Sequence, residues 1–286
     1  MDFEAVRSRL FGIAYRMLGS VAEAEDVVQE IWIRWQTADR VAVRDPVGFL
    51  VTATTRLAIN VAESARVRRE TYVGTWLPEP VDTTADPAVG AERGEALELA
   101  VLLLLETLTP TERAAYVLRE AFDYPYATIA AVLDQSEGNA RQLVSRARKH
   151  IAAGRRAPVA PAEHRRLLQA FLAAARVGDL ASLETIPAAD VASYSDGGGI
   201  AGVVRVPILG RTRVARFVVG FSTRFWADVE VGWVTVNGQA GAMVSRDGQP
   251  VALLAIDASV AGIERLLWLM NPHKLGAFPN PVREAR

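Results

Sequence analysis

The sequence predicts two all-α modules followed by one α+β module, and three observations carry that expectation. Apolar residues recur every three or four positions over residues 1–72 and again over 95–156. Between these stretches, residues 73–94 combine Pro78, Pro80 and Pro87 with Gly74, Gly90 and Gly94, a linker composition that is stiff around the prolines. Past a second junction with Pro158 and Pro161, and a helix at about 162–178, the pattern turns strand-like in VVRVPIL, VEVGWVTVNG and GAMVSRDGQPVALLAI. Asn237–Gly238 and Asp247–Gly248 are hairpin turn signals there. No internal repeat or low-complexity tract interrupts this order.

Composition narrows the function classes. With 286 residues, half of them hydrophobic, the chain can build roughly two domains with sizeable cores, which excludes global disorder. A net charge of −1 excludes a protein that coats nucleic acid unaided, so DNA contact must come from local patches or from a partner that supplies affinity. Of 32 basic residues only Lys149 and Lys274 are lysines, leaving 30 arginines. Arginine forks suit phosphate and guanine, although a codon bias explains the same ratio. The absence of cysteine removes disulfides, thiolate metal sites and a cysteine nucleophile, and fits a reducing cytoplasm. MDFEAVRSRL lacks the basic start and apolar run of a signal peptide, and the apolar run LAVLLLL is too short to span a bilayer. No membrane contact is expected.

In the first module, Ser20 opens SVAEAEDVVQEIWIRWQ (20–36) three positions before Glu23, the spacing of a capping box. Val27, Ile31 and Trp35 form a core stripe, leaving Glu23, Glu25, Asp26, Gln29 and Glu30 as an acidic face. Composition leaves that face open between a solvated surface and a docking site for a basic partner. After Pro46, Phe49, Ala53 and Leu57 mark the next helix, with Asn60, Glu63, Arg66, Arg68 and Arg69 beyond them. Cations at a helix C-terminus also satisfy the dipole, so they have a structural reason to be there.

The second module ends in PYATIAAVLDQSEGNARQLVSRARKHI (125–151), two short helices around a turn. Ile129, Ala130 and Leu133 give the first helix an apolar face; Val144, Ala147 and Ile151 do so for the second, and Ser136 is its N-cap. Residues 135–156 hold six Arg or Lys against one acid, Glu137. A helix-turn-helix places the start of its second helix at base edges and its flanks near phosphates. The residues so placed are Asn139, Arg141, Gln142, Ser145, Arg146, Arg148 and Lys149. An ordinary helical hairpin with a solvated basic face is the competing interpretation.

Taken in order, AEAEDVVQEIWIRWQ, DPVGFLVTATTRLAIN with Arg66–Arg69, and LTPTERAAYVLREAFDYPYATIAAVL before the helix-turn-helix resemble bacterial extracytoplasmic-function sigma factors of the sigma-70 family over about residues 1–155. The resemblance implies a region-2 module at 1–72, a linker at 73–94 and a region-4 module at 95–156. It implies that Glu25, Asp26, Gln29 and Trp32 dock on the β′ clamp helices of core RNA polymerase, with the β subunit a further partner. It also implies that Asn60, Arg66 and Arg69 lie near the melted −10 element, where a base is flipped out and the strand is tracked by basic side chains, while the helix-turn-helix reads the −35 element. Thr128 departs from the pattern, standing where such proteins usually carry a glutamate. Because polymerase supplies much of the electrostatic affinity, a net charge near zero is then expected.

Residues 162–286 resemble a SnoaL-like domain, the cone-shaped α+β fold shared with nuclear transport factor two, with a curved, mostly antiparallel sheet. Sigma factors with this fusion show a WLPEP-type linker, a DGGG turn and an NPDKL-type segment. Here these are Trp76–Leu77–Pro78–Glu79–Pro80, Asp196–Gly197–Gly198–Gly199 and Asn271–Pro272–His273–Lys274–Leu275, the last departing at His273. Asp196, Asp228, Glu230, Asp257 and His273 are the available acid–base candidates, yet none forms a recognisable pair. Trp226, Trp233 and Trp268 either line a pocket or are simple core. The domain is therefore expected to be regulatory, with no catalytic residue, metal ligand or cofactor. It would receive the linker or a helical module on its DGGG and NPHKL surfaces and so set the spacing of the two DNA-reading modules. Two alternatives remain: a small-molecule-binding or cyclase/isomerase cone tethered to a DNA-binding module, and a simple repressor, against which the docking helix argues. A cone with convergent acid and base would favour the enzyme; a filled or purely apolar one would sink it.

Overall fold

The computed structural model describes residues 3–83, 98–200 and 202–276. The later part of the expected linker, with Pro87, Gly90 and Gly94, the start of the region-4 module at 95–97 and the chain beyond 276 lie outside the described residues. The described chain forms two compact units, a helical one from 3–71 with 98–155 and an α+β one from 72–83 with 156–276.

In the helical unit, α1 (Glu4–Leu18) ends at left-handed Gly19, and Ser20 starts α2 (Val21–Thr37) by accepting a hydrogen bond from Glu23 N–H at 3.3 Å. Asp45 caps α3 (Pro46–Glu70), whose Pro46 sits where a missing N–H costs nothing. Leu10, Ile13 and Met17 of α1 are buried together with Val27, Val28, Ile31, Leu50 and Val51, the pattern that an i, i+3/i+4 stripe produces when three helices share one core. The second group comprises α4 (Leu99–Leu105), α5 (Pro110–Glu120), α6 (Tyr126–Leu133) and α7 (Glu137–Ala153). Thr109 and Glu112 close a reciprocal capping box at α5, a signal that lies within LTPTERAAY. Helix α6 stops at Asp134, which takes the left-handed conformation (φ 54°), and Ser136 accepts from Asn139 N–H at 3.2 Å to start α7. Packing of α5 and α6 on α3, and of α5 on α1, joins both groups in one unit.

The α+β unit carries a six-stranded sheet in the order β2-β1-β6-β5-β4-β3. The strands are β1 (Pro187–Asp196), β2 (Ile208–Leu209), β3 (Val229–Val236), β4 (Gln239–Arg246), β5 (Gln249–Ser259) and β6 (Gly262–Leu269). Only β1 with β6 is parallel; the hairpins at Asn237–Gly238 and Asp247–Gly248 join β3 to β4 and β4 to β5. Helices α8 (Pro161–Val177), α9 (Leu180–Leu183) and α10 (Arg211–Phe225) bury Leu168, Phe171, Leu183 and Val214 against Leu254, Ile256, Leu266 and Trp268 of the sheet. Two expectations shift here. VVRVPIL contributes only the two-residue β2, because Pro207 has no N–H for a ladder. RTRVARFVVGFSTRF, in a stretch read as strand-like, is α10: Val214, Val218 and Ser222 are buried at four-residue spacing, a helical period obscured by β-branched and aromatic residues.

Candidate functional site

On α7 the buried stripe is Ala140, Leu143, Val144, Ala147 and Ile151. Its period turns Arg141, Gln142, Ser145, Arg148 and Lys149 to the opposite, exposed arc, with exposed Arg146 and half-buried Asn139 at the edge. Three of these cations already hold an acid. Arg141 pairs with Glu137 and lies 4.5 Å from the Tyr126 ring centre; Arg146 meets Glu112 at 3.2 Å; Arg148 places Nε and Nη2 at 3.0 and 2.7 Å from one oxygen of Glu120. All three guanidiniums are at least half exposed, and the Arg141–Glu137 pair, open to solvent on both sides, contributes about 0–1 kcal/mol, so an incoming phosphate or base edge can replace Glu137 at little cost. Asn139 donates to Gln135 Oε1 at 2.7 Å, which orients its amide at the start of the helix.

Asn60 and Arg66 are exposed on α3, but Arg69 is not brought to their side. Its guanidinium pairs with Glu106, donates to the Leu18 carbonyl and stands 3.7 Å from Glu23; Arg113 pairs with the other oxygen of Glu106 and donates to Arg16 O at 2.8 Å. Burial, only partly offset by Glu106, holds the Arg69 guanidinium below its ordinary pKa. A second tie comes from Arg56 of α3, which donates to the carbonyls of Val132 (2.8 Å) and Ala131 (3.2 Å) at the end of α6. Four orphan carbonyls end every helix; here that of Val132 is satisfied by a neighbouring helix, and that of Ala131 is shared between Arg56 and the N–H of the cap residue, Asp134.

Along α2, Asp26 and Gln29 are exposed, Trp32 is 40 % exposed and Glu25 is half-buried against Arg7 at 2.5 Å. Ile33, 46 % exposed, sits one turn after Gln29. An exposed isoleucine beside an exposed tryptophan adds apolar area to an otherwise acidic face. Its position off the Val27–Ile31–Trp35 stripe was the signal for it.

The described linker residues fold as part of the α+β unit. Asp196, fully buried, accepts from Tyr72 Oη at 2.5 Å, Leu77 N–H at 3.0 Å, Lys274 Nζ at 2.7 Å and Gly198 N–H at 3.2 Å. Lys274 also donates to the Leu77 carbonyl and lies 4.4 Å from the Trp76 ring centre. Asn271 caps α11 (Pro272–Leu275) through its Oδ1 and donates from Nδ2 to Tyr72 Oη at 3.1 Å. Burial and the Asp196 carboxylate push the Tyr72 hydroxyl far above its ordinary pKa, so it remains a donor. Leu77, Pro78 and Pro80 are buried, Trp76 and Glu79 half-buried, and Pro272 exposed. Gly197 is buried; a Cβ there would meet Val203 at 2.7 Å, and one on Gly198 (φ 59°) would meet Asn271 at 2.7 Å, so the turn is threaded where side chains do not fit. Gly199 is exposed beside Val73, and Leu275 is buried.

A second anchor lies at the β3–β4 turn. Val81 N–H donates to Asn237 Oδ1 at 3.0 Å, Asn237 N–H to Val81 O at 2.9 Å, Thr83 N–H to Thr235 O at 3.2 Å and Gly238 N–H to Thr83 Oγ1 at 3.0 Å. The linker thereby extends the edge of the sheet by a short bridge, Asp82 to Val236. Sequence reading assigned Asn237 only to a hairpin turn; its second use depends on a segment about 155 residues away in the chain.

Between α10, the ends of β1 and β6, and residues 202–204 lies a pocket open to solvent. Phe217, Phe221, Phe225, Trp226, Trp268 and Met270 line it. Trp233 does not; Arg165 covers its ring at 4.5 Å. Asp196, Asp228, Glu230, Asp257 and His273 are not among the lining residues, and Asp257 instead pairs with Arg265. Among the described residues there is no cluster of three His, Asp or Glu side chains that could hold a metal, and no helix long and apolar enough to cross a membrane.

The helical unit has the build of a promoter-reading initiation factor, and comparison with known proteins agrees. Residues 3–71 match the model of sigma-70 region 2, and residues 98–151 that of sigma-70 region 4. The ECF RNA polymerase sigma factor SigJ of Mycobacterium tuberculosis is 37 % identical over 303 aligned residues, spanning 100 % of this chain and 96 % of that one. The probable ECF RNA polymerase sigma factor SigI of the same species is 33 % identical over 267 residues, 91 % of this chain and 86 % of that one. The crystal structure of M. tuberculosis SigJ superposes with a TM-score of 0.79 at 34 % identity, covering 97 % of this chain and 98 % of that one. The chain therefore belongs to the extracytoplasmic-function sigma factors, alternative sigma factors that direct transcription initiation.

Proposed function

We propose that this sigma factor docks on core RNA polymerase through the α2 face of Glu25, Asp26, Gln29, Trp32 and Ile33, reads promoter DNA in the cytoplasm, and is held in check by its own α+β unit. Docking on the β′ clamp helices, with the β subunit as a further contact, uses an acidic surface with a small apolar centre. The −35 element meets the exposed arc of α7, and Asn60 and Arg66 meet the −10 element. Arg69 joins them only after leaving Glu106. The α+β unit acts as a regulator and not as an enzyme: its pocket is lined by apolar side chains and the Ser195 hydroxyl, without the acid–base pair that proton-transfer chemistry needs.

The observation that carries the regulatory reading is the clamp on Asp196, which fixes residues 72–77 of the chain between the two promoter-reading modules. A held linker and a closed Arg69–Glu106–Arg113 network both favour modules packed together over modules spread along a promoter. Run-off transcription with core polymerase tests this in the full chain. Asp196→Ala and Lys274→Ala are expected to raise promoter-dependent transcript by about fivefold or more, the lower range of a typical coupling free energy. Wild-type levels from both variants would refute control through the linker.

A further inference from the structure

We propose that the pocket of the α+β unit binds a planar, uncharged, mostly apolar small molecule, and that its occupancy loosens the linker clamp on Asp196. This inference rests on reading residues 72–77 as a regulatory clamp.

The ligand class follows from the lining. Five aromatic rings surround the space and no charged side chain faces it, so a charged ligand would lose its hydration without a counter-charge. Phe217, Phe221 and Phe225 repeat every four residues along one face of α10. Phe225 stands edge-on to both Trp226 (4.8 Å, 87°) and Trp268 (5.7 Å, 86°), a herringbone that offers ring faces and edges to a flat guest. Ser195 supplies one hydroxyl with no hydrogen-bond partner among the described residues, enough to orient a single polar group. Apolar lining with few convergent polar groups is the usual make-up of a small-molecule site.

Coupling follows from how little separates pocket from clamp. Ser195 precedes Asp196, and Met270 precedes Asn271; Met270 N–H donates to Asp196 O at 2.7 Å. Val203 of the pocket wall packs on Gly197, while Gly198 packs on Asn271. Arg205, in the same loop, lies against Gly74 of the linker. A guest that displaces Val203 or Met270 therefore moves the turn that presents the Asp196 carboxylate to Tyr72, Leu77 and Lys274. A ligand shifts such an equilibrium only through unequal affinity for the two states, and the looser turn is the one that leaves room for the guest.

The test uses the intact chain and the neutral fluorophore N-phenyl-1-naphthylamine. Fluorescence titration is expected to saturate at one probe per chain, and Phe221→Asp, at a 42 % exposed rim position, to weaken binding by about tenfold or more while Phe221→Leu retains it. At saturation, amide hydrogen exchange in the peptide covering 72–80, with Leu77 N–H as its buried reporter, is expected to quicken by about threefold or more in the wild type and not in Phe221→Asp. Unsaturable binding, indifference to Phe221→Asp, or unchanged exchange with probe bound would each overturn the proposal. Because neither readout involves transcription, a failure here is distinct from Asp196→Ala leaving transcription unchanged, which would refute only the regulatory reading.

Discussion

Under the proposed function, single side chains divide the exposed arc of α7 into two jobs. Arg141 is held by Glu137 and the Tyr126 ring near the start of the helix, the end proposed to meet base edges, whereas Lys149 lies two turns on. Arg141→Ala should lose about 1–3 kcal/mol of discrimination at one −35 position, seen as relaxed promoter selectivity in a competition assay. Lys149→Ala should weaken all promoters alike and lower the salt slope by about one. Away from DNA, His164 is 4 % exposed and donates from Nε2 to Ile256 O at 3.1 Å. Burial holds its pKa below the ordinary 6.5, against smaller opposing pulls from the Ile256 carbonyl and then Asp257. The unfolded chain thus binds this proton more readily, so stability is lost as pH falls from about 6.5 towards the folded pKa and levels off below it. Urea melts of the α+β unit in the full chain at about pH 7.5 and about pH 5.5 should show that loss, and His164→Gln should reduce it.

At the level of elements, helix starts were legible because a cap is a local bargain between neighbours in sequence. Ser20 and Ser136 each cap a helix through the hydroxyl, while the full reciprocal box is closed by Thr109 with Glu112; the Glu23 carboxylate, at box spacing from Ser20, instead pairs with Arg68. Ser136→Ala should cost the helix-turn-helix about 1 kcal/mol and Ser136→Gly only a few tenths, measured by the thermal unfolding of the helical unit. Helix α10 was not legible, since Val, Phe and Thr favour strands when periodicity is judged over a short window. Its burial against β1 decides the matter. The same helix then supplies three phenylalanines to a pocket that no single segment announces.

Over the whole molecule, long-range ties decide which expected contacts are available. Glu106 holds Arg69 of α3 and Arg113 of α5 together, and Arg56 reaches the end of α6. Glu106→Gln removes the charge that compensates two partly buried guanidiniums and should weaken the packed arrangement of the modules by about 1–3 kcal/mol. The chain has no cysteine, so dyes on Ser64→Cys and Ser145→Cys report that change directly. Lower energy transfer in Glu106→Gln than in the parent is the expected outcome, and equal transfer would show that the network does not hold the modules.

By itself the sequence determined the order of modules, the caps, the helix-turn-helix and the amphipathic faces, because each depends on residues within one or two turns of each other. It also placed WLPEP, DGGG and NPHKL as three separate motifs. Only the tertiary structure decided that Asp196, Tyr72, Leu77 and Lys274 share one buried site, that Asn237 holds the linker again, and that Arg69 faces Glu106. Those pairings join residues from 37 to 156 positions apart. Their geometry comes from the packing of cores that no local pattern encodes.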